Sequence, residues 1–576
     1  MYKLKKLPEI AVRHYFPRLR NKPGAVVTGL ALWFVLASLL PINCMAQEGS
    51  SSEICPRPTE GAVVSNPPEL RSRDGILELS LHLRYEKTQV SQGPPRYCLV
   101  TDDGQESPTL RVLPGDKLII HLHNDLPPSA PAFGHQHATS ASSRGQDCGE
   151  VAMSASITNL HFHGMTIPPT CHQDDVIHTA VQAGESFDYC ITIPADEPPG
   201  LYWYHPHPHG FSERQIQGGA SGALIVEGLA ARFPFVSKLP ERIILLRDQQ
   251  RIGPEANGPA VPGWDLSVNF VPVIYPQNVP AIIPIAANEK QLWRVANASA
   301  DTIYDLEILA GKTPQSLEIL ALDGVPLPRS QTQTEIPLPP GARAEFVMVG
   351  PANKQDALLV TKAWDTGPAG DNDTARTLAN LVRAPHSDQL LSRVQERQLV
   401  AEAYSKPHAD SRPVVQRRLY FSQRSSNPQD PDNFVLYFIT VEGQTPAPYK
   451  MGAPPNIVVH QGDLEEWTIE NRSDEDHIFH IHQIHFNVLE TNGQPVDDPA
   501  SRDTIDIPYW KGHGAYPSVK LRMDFSAPNT VGTFLYHCHI LKHEDMGMMG
   551  SIQVLPSPLH EVSERQGPKP QFRHEK

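Results

Sequence analysis

The sequence predicts an all-β chain folded as three sandwich domains, and three observations carry that expectation. The chain has 576 residues, more than one hydrophobic core usually serves, so three domains is the starting count. Its 38 glycines and 57 prolines are spread along the whole length, which favours many short strands joined by turns over long helices. A residue spacing written near position 115 returns near position 462. Hydrophobic residues make up 40% and charged residues 20%, the balance of a soluble globular chain.

The first element, residues 1–46, reads as an export signal. Seven basic residues, from Lys3 to Lys22, precede an uncharged run from Pro23 to Gln47. Ala46, with Cys44 two positions earlier, offers a small-residue cleavage site before Gln47. A retained anchor is the other reading, since Ala25 to Ile42 nearly suffices to span a bilayer. The residues before Cys44 make a poor lipobox, and no Arg-Arg pair marks a twin-arginine signal. Either reading puts the mature chain outside the cytoplasm, secreted or periplasmic; if the signal is cleaved, no stable membrane association is expected. Residues 1–46 carry seven basic and one acidic residue, so their removal takes the net charge from −15 to −21. That acidity argues against a nucleic-acid partner. Of the seven cysteines, Cys44, Cys55, Cys98, Cys148, Cys171, Cys190 and Cys538, an exported location permits one or two disulfides, whose pairing the sequence leaves open.

The first domain, 60–232, and the last, 413–560, read as copies of one sandwich. In PGDKLIIHLHN, Asn124 follows Asp116 by eight residues; in QGDLEEWTIEN, Asn471 follows Asp463 by the same interval. Further on, Gly200-Leu-Tyr-Trp-Tyr-His205-Pro-His207 parallels Gly532-Thr-Phe-Leu-Tyr-His537-Cys-His539. Each is followed by a similar strand, from Gly222 and from Gly550. The middle domain, 233–395, has strand-like apolar runs such as ERIILLRD, QLWRVANAS and ARAEFVMVG, but no histidine between Ala231 and Pro385. It reads as a metal-free spacer that holds the outer two together. A polar stretch near 365–412, with PAGDNDTAR and a charged helix-like run, leads through a linker at 396–412 to the last domain; 561–576 is a tail.

Four histidine clusters carry the chemistry: His161-Phe-His163, His205-Pro-His207-Pro-His209, His477-Ile-Phe-His480-Ile-His482, and His537-Cys538-His539 with His543 and Met548. Alternate residues of a strand face one side. His537 and His539 therefore point to one site and Cys538 to another; His480 and His482 share a face that His477 does not. One side collects His477, Cys538, His543 and Met548, two imidazoles, a thiolate and a thioether, the ligand set of a blue-copper electron-transfer centre. The other collects paired histidines from all four clusters, eight in all, suited to a group of coppers that binds oxygen. The peptide between Cys538 and its flanking histidines is a short covalent route between the two.

These motifs resemble the copper-binding signatures of the multicopper oxidases, over nearly the whole mature chain and in the family's order, with HCHILKHEDMGMM the most specific. The resemblance implies cupredoxin-like Greek-key sandwiches and four coppers per chain. It implies one-electron oxidation of a phenol, an aromatic amine or a low-valent metal ion, coupled to reduction of dioxygen to water. Carried over, it assigns His477, Cys538, His543 and Met548 to the type 1 copper and His161 and His480 to the type 2. His163, His205, His207, His482, His537 and His539 fall to the type 3 pair. The family interval selects Met548, leaving Met546 and Met549 as packing residues. It prefers His205 and His207, directly after Trp203-Tyr204, over His209. His135-Gln-His137 lacks a strand context and reads as a decoy.

Four-electron reduction of dioxygen also consumes four protons, which carboxylates can relay. Family placement points to Glu544, directly after His543, and to Asp174, with Asp175 the second choice and a solvated loop carboxylate its other reading. The stretch 126–158 is longer than the family commonly shows. Asp474-Glu475-Asp476 before His477 is either a solvated acidic turn or an attractor of cationic reductants. No methionine-rich insert is present, which argues against a dedicated cuprous oxidase of the kind that carries one. A copper-binding or cell-envelope scaffold on the same fold is the alternative class, but all twelve ligand positions keep ligand-type residues. A copper nitrite reductase would leave eight histidines unexplained. Asn297, Asn372 and Asn471 fit the glycosylation sequon.

Overall fold

In the computed structural model, the residues described are 55–86, 95–128, 146–149, 152–251, 258, 260–352, 357–384, 414–425 and 435–557. The export segment, Cys44, His135-Gln-His137, the linker, the helix-like run and the tail lie outside them. The chain is all-β: six sheets form three sandwiches, each closed over one apolar core. Period-two alternation marks the strands with one solvated face, while strands such as Gly200–His205 are buried on both. In Lys117–Asp125 the side chains of Leu118, Ile120, Leu122 and Asn124 point inward and those between them outward.

The interval read twice in the sequence occurs three times in the structure. Asp116 Oδ2 accepts from Leu113 N, Glu289 Oε2 from Ala286 N and Asp463 Oδ2 from His460 N, at 2.8, 3.1 and 2.8 Å. In each case the preceding residue, Gly115, Asn288 or Gly462, has a left-handed φ of 84°, 60° or 100°. Eight residues further on, a buried asparagine ends the strand. Asn124 Nδ2 donates to Ser156 O and Val181 O, Asn297 Nδ2 to Thr302 O and Leu338 O, and Asn471 Nδ2 to Glu475 O and Ile507 O, while each Oδ1 accepts a backbone N–H two residues on. The middle sandwich hides its copy because asparagine, which tolerates left-handed φ, replaces glycine, and glutamate replaces aspartate. Full burial of Asn297 and Asn471 rules both out as glycan acceptors in the folded chain.

One expectation changes. The polar stretch after PAGDNDTAR is part of the middle sandwich, because Arg376–Arg383 is a strand paired with Ala357–Thr361 and Ala281–Ile285. The middle sandwich packs directly on the first. Its Ile243, Leu245, Ala296 and Ala298 share a buried cluster with Leu201, Trp203, Ala223 and Ile225 of the first, and its Pro339–Arg343 turn reaches the histidines described below. Two disulfides form, Cys55–Cys98 and Cys148–Cys171. The second ties the long segment before the first histidine motif to the loop that follows it. Cys190 and Cys538 are the free cysteines among the described residues.

Candidate metal centres

Four short strands place the histidines: β1 (His161–His163), β2 (Gly200–His205), β3 (His477–Ile481) and β4 (Gly532–Cys538). β1 pairs antiparallel with β2, so that His161 lies opposite His205; β3 pairs antiparallel with β4, so that His480 lies opposite His537 and Phe479 opposite Cys538. Successive side chains on β4 therefore leave the sheet on opposite faces.

On one face, Cys538 Sγ lies 3.6 Å from His477 Nδ1 and 3.8 Å from His543 Nδ1. The turn after β4 folds back through backbone bonds from Met548 N to His543 O and from Cys538 N to Met548 O, and it buries Met548 completely. Tyr437 stacks on the His543 ring at 4.1 Å. Burial pushes the Cys538 thiol far above its usual range and His477 down to about 3. A sulfur without a counter-charge faces two neutral imidazole nitrogens. That donor set fits a cation that binds thiolate and imidazole.

On the other face, the eight histidines of the first and third sandwiches interleave. His161 stacks on His482 and His163 on His480, both at 3.9 Å between centroids. His537 Nε2 stands 3.2 Å from His482 Nε2 and 3.4 Å from His207 Nε2. Most rings have one nitrogen pinned from outside. His161 Nδ1 faces Asp174, His480 Nδ1 donates to Asp503 O, His205 Nδ1 to Pro206 O and His537 Nδ1 to Cys538 O. The opposite nitrogens of His161, His205 and His480, together with His163 Nδ1 and both nitrogens of His539, are buried without a hydrogen-bond partner. Three sets of nitrogens, from His161, His163 and His205, from His161, His480 and His482, and from His207, His482 and His537, each lie within 4.8 Å of one another. Burial holds all eight rings neutral, His205 at about 3 and His537 at about 4. So many buried acceptor nitrogens facing inward would be costly without a ligand, and neutral imidazole is the form that binds copper.

The carboxylates expected to relay protons both sit at this cluster. Asp174 places both oxygens 3.1 Å from His161 Nδ1 and accepts from Phe162 N. Asp175 turns away and caps His178 N and Nδ1. Glu544 lies between His537 Nδ1, at 3.3 Å, and His207 Nδ1, at 3.6 Å. Burial holds Asp174 and Glu544 well above the usual carboxylate range. His209 packs on Tyr449, while His172 and His485 bond to the backbone carbonyls of Asp188 and Asp323. Met549 packs with Val176, Ile177 and Leu535, and Met546 against the third core.

Several residues at the cluster went unread in the sequence. Gln483 donates to Asp174 Oδ2. Asp503 Oδ1 lies 3.3 Å from His163 Nε2, and Thr504 Oγ1 touches both His163 and His480. Gly341 backs onto His163 and His539, where a Cβ would come within 2.9 Å of His163 Cε1. The acidic turn before His477 divides by burial. Asp474 is exposed, Asp476 ties Trp364 Nε1 and Tyr509 N to this end of the sandwich, and Glu475 points Oε2 to 3.7 Å from His543 Nε2. The solvated reading therefore fits Asp474 alone. Burial, reinforced by the charge of Asp474, pushes Glu475 up to about 8.

A mononuclear thiolate–imidazole site one peptide away from an eight-histidine cluster defines a copper oxidoreductase, and relatives agree. Two family models, each described as multicopper oxidase, match residues 152–230 and 420–558. The multicopper oxidase mco of Staphylococcus aureus is 23% identical over 491 residues, covering 84% of this chain and 90% of that protein. Among solved structures, the McoA multicopper oxidase of Aquifex aeolicus has a TM-score of 0.63 at 20% identity, covering 86% of this chain and 99% of that one. A Campylobacter jejuni multicopper oxidase described as a metallo-oxidase has a TM-score of 0.62 at 22% identity, covering 87% and 96%. Two stretches of the chain thus match multicopper oxidase models, and the chain is similar over most of its length to members of that family, copper-dependent oxidoreductases that use dioxygen.

Proposed function

We propose that this chain couples one-electron oxidation of a small reductant to four-electron reduction of dioxygen to water. His477, Cys538, His543 and Met548 would hold one copper, of type 1. His161 and His480 would hold a type 2 ion, and His163, His205, His207, His482, His537 and His539 a type 3 pair, four coppers in all. Bound copper supplies the one-electron redox steps and the oxygen chemistry; the protein supplies placement, insulation and protons. The observation that carries the reading is the His537-Cys538-His539 run on β4, which sends a thiol into one centre and two imidazoles into the other through adjoining peptides. The buried carboxyl groups of Asp174 and Glu544 hold protons at His161 Nδ1 and at the Nδ1 atoms of His207 and His537, and can pass them inward as water forms.

The reductant would donate at the His543 side of the type 1 site. A cleft of about 860 Å³ at the acidic turn that precedes His477, lined by Tyr509, Trp510, Lys511, Arg472, Asp474 and Asp365, supports an organic reductant, a phenol or an aromatic amine. A low-valent metal ion is the second reading, favoured by Glu475 at His543 Nε2. Export to the periplasm or medium is part of the proposal, and the two disulfides support it.

The test is copper content and visible absorption of the copper-loaded chain beside Cys538→Ser. Four coppers, with a thiolate band near roughly 600 nm that the variant loses, would establish the oxidase. One copper or none and no band would leave a copper-handling or envelope scaffold protein. N-terminal sequencing of the exported chain tests cleavage before Gln47.

A further inference from the structure

We propose that Arg343, supplied by the middle sandwich, is a positioning residue for the oxygen-site histidines, acting through Asp503; the inference rests on the copper reading above for what those histidines hold.

Arg343 ends a turn whose Gly341 lies against His163 and His539. Its side chain is fully buried. Backbone N donates to Asp323 Oδ1, Nε to Leu201 O and Nη1 to Gly341 O, at 2.9, 3.2 and 3.2 Å. Nη1 donates to Asp503 Oδ1, and Nη2 lies in ion-pair contact with Oδ2, each at 2.7 Å, although neither Nη2 nor Oδ2 makes a hydrogen bond. The planar guanidinium sets one hydrogen bond and one ion-pair contact side by side against the carboxylate, an orientation that a lysine ammonium does not impose. Asp503 then reaches two rings by different atoms: Oδ1 lies 3.3 Å from His163 Nε2, and its main-chain O accepts from His480 Nδ1 at 2.8 Å. Those two rings stack at 3.9 Å, and the nitrogens they turn inward, His163 Nδ1 and His480 Nε2, are the unpartnered ones. Arg343 thus selects which nitrogen of each ring faces the cluster, and it joins a histidine of the first sandwich to one of the third through a residue of the second. Outer partners of ligating histidines tune metal sites in this way. The glycine after the first motif fits the same arrangement: Gly164 has a φ of 85°, and a Cβ there would collide with Arg343 Nη2 and Asp503 Oδ2.

The experiment compares the full chain with Arg343→Lys and Arg343→Gln after copper loading, by copper content, the type 1 absorption band and the type 2 EPR signal, and adds crystal structures of the copper-free proteins. Expected are an intact type 1 band in both variants, loss of at least one copper relative to the parent in Arg343→Gln, a shifted type 2 hyperfine pattern in Arg343→Lys, and separation of the His163 and His480 rings. A parental copper count and type 2 signal in the variants, with the stacking unchanged, would overturn the inference. If Arg343→Gln does not fold, Arg343→Lys decides by the same readings. If the parent itself takes up no copper, the copper reading fails, and the ring separation in the copper-free structures decides this inference separately.

Discussion

Asn297→Ala tests whether the threefold asparagine is what closes each sandwich. The middle sandwich is the place to ask, because it holds none of the proposed copper ligands and its stability can be read without metal. The substitution removes three buried hydrogen bonds, from Nδ2 to Thr302 O and Leu338 O at 2.8 Å each and from Ser299 N to Oδ1 at 3.0 Å. It strands two carbonyls and one N–H where the side chain is 0% exposed. Each lost bond is worth about 1 kcal/mol, and a stranded buried group costs about 1–3 kcal/mol before local relaxation. Allowing partial rescue by water or backbone shift, a net loss of about 2–4 kcal/mol is expected. For a domain of this size that corresponds to a fall in melting temperature of roughly 5–15 °C, read by calorimetry on copper-free protein. Asn297→Asp should be worse, since it keeps the acceptor but faces a carboxylate toward two carbonyls. A loss below about 1 kcal/mol, near the scatter of surface substitutions, would show that those groups find other partners and would refute the argument. Asn124→Ala removes the same three bonds and should cost the same; Asn471→Ala removes a fourth, from Ser473 Oγ to Oδ1, and should cost at least as much.

Glu544→Gln keeps the shape at His537 and His207 but removes an acidic proton, so turnover should fall about 10²-fold or more while the type 1 band persists; unchanged turnover in stopped-flow reoxidation would remove Glu544 from the proton path. Because burial holds Glu475 at about 8, Glu475→Gln should raise KM for a cationic metal reductant several-fold only above about pH 8, where the carboxylate is charged, and leave a neutral phenol unaffected, in steady-state assays with both across that range; equal effects on the two would exclude electrostatic attraction. Replacing Cys148 and Cys171 together by serine should cost about 3 kcal/mol for a loop of 23 residues, measured by urea denaturation under non-reducing conditions, and no shift in midpoint would show that the bridge does not constrain the unfolded chain.

The histidine motifs were legible because strand geometry turns spacing into direction: an alternating pair on β3 or β4 must share a face, and the residue between must not. The duplicated sandwich was legible for a similar reason, since Gly-Asp and an asparagine eight residues on mark a turn and a strand end. The middle copy escaped because Asn288-Glu289 performs the same turn with different letters. Asp503 and Arg343 escaped for a deeper reason. Neither belongs to a local pattern; they meet across 160 positions, and only the docking of the sandwiches brings them to His163. The strand Arg376–Arg383 was hidden by polar neighbours that suggested a linker, although its alternate residues are buried against the middle core.

The division of the histidines between sandwiches dictates an order of assembly. All four residues read as type 1 ligands fall between His477 and Met548 in the third sandwich, so that pocket can close as soon as its own domain folds. The oxygen-site histidines come four from the first sandwich and four from the third, and neither half offers a complete cage. Metal can fill that cage only after the distant ends of the chain have docked, and once there it acts as a clasp, because binding that requires the docked state stabilises it. Copper should therefore enter the two centres in sequence and leave in reverse, with the last to arrive guarding the seam.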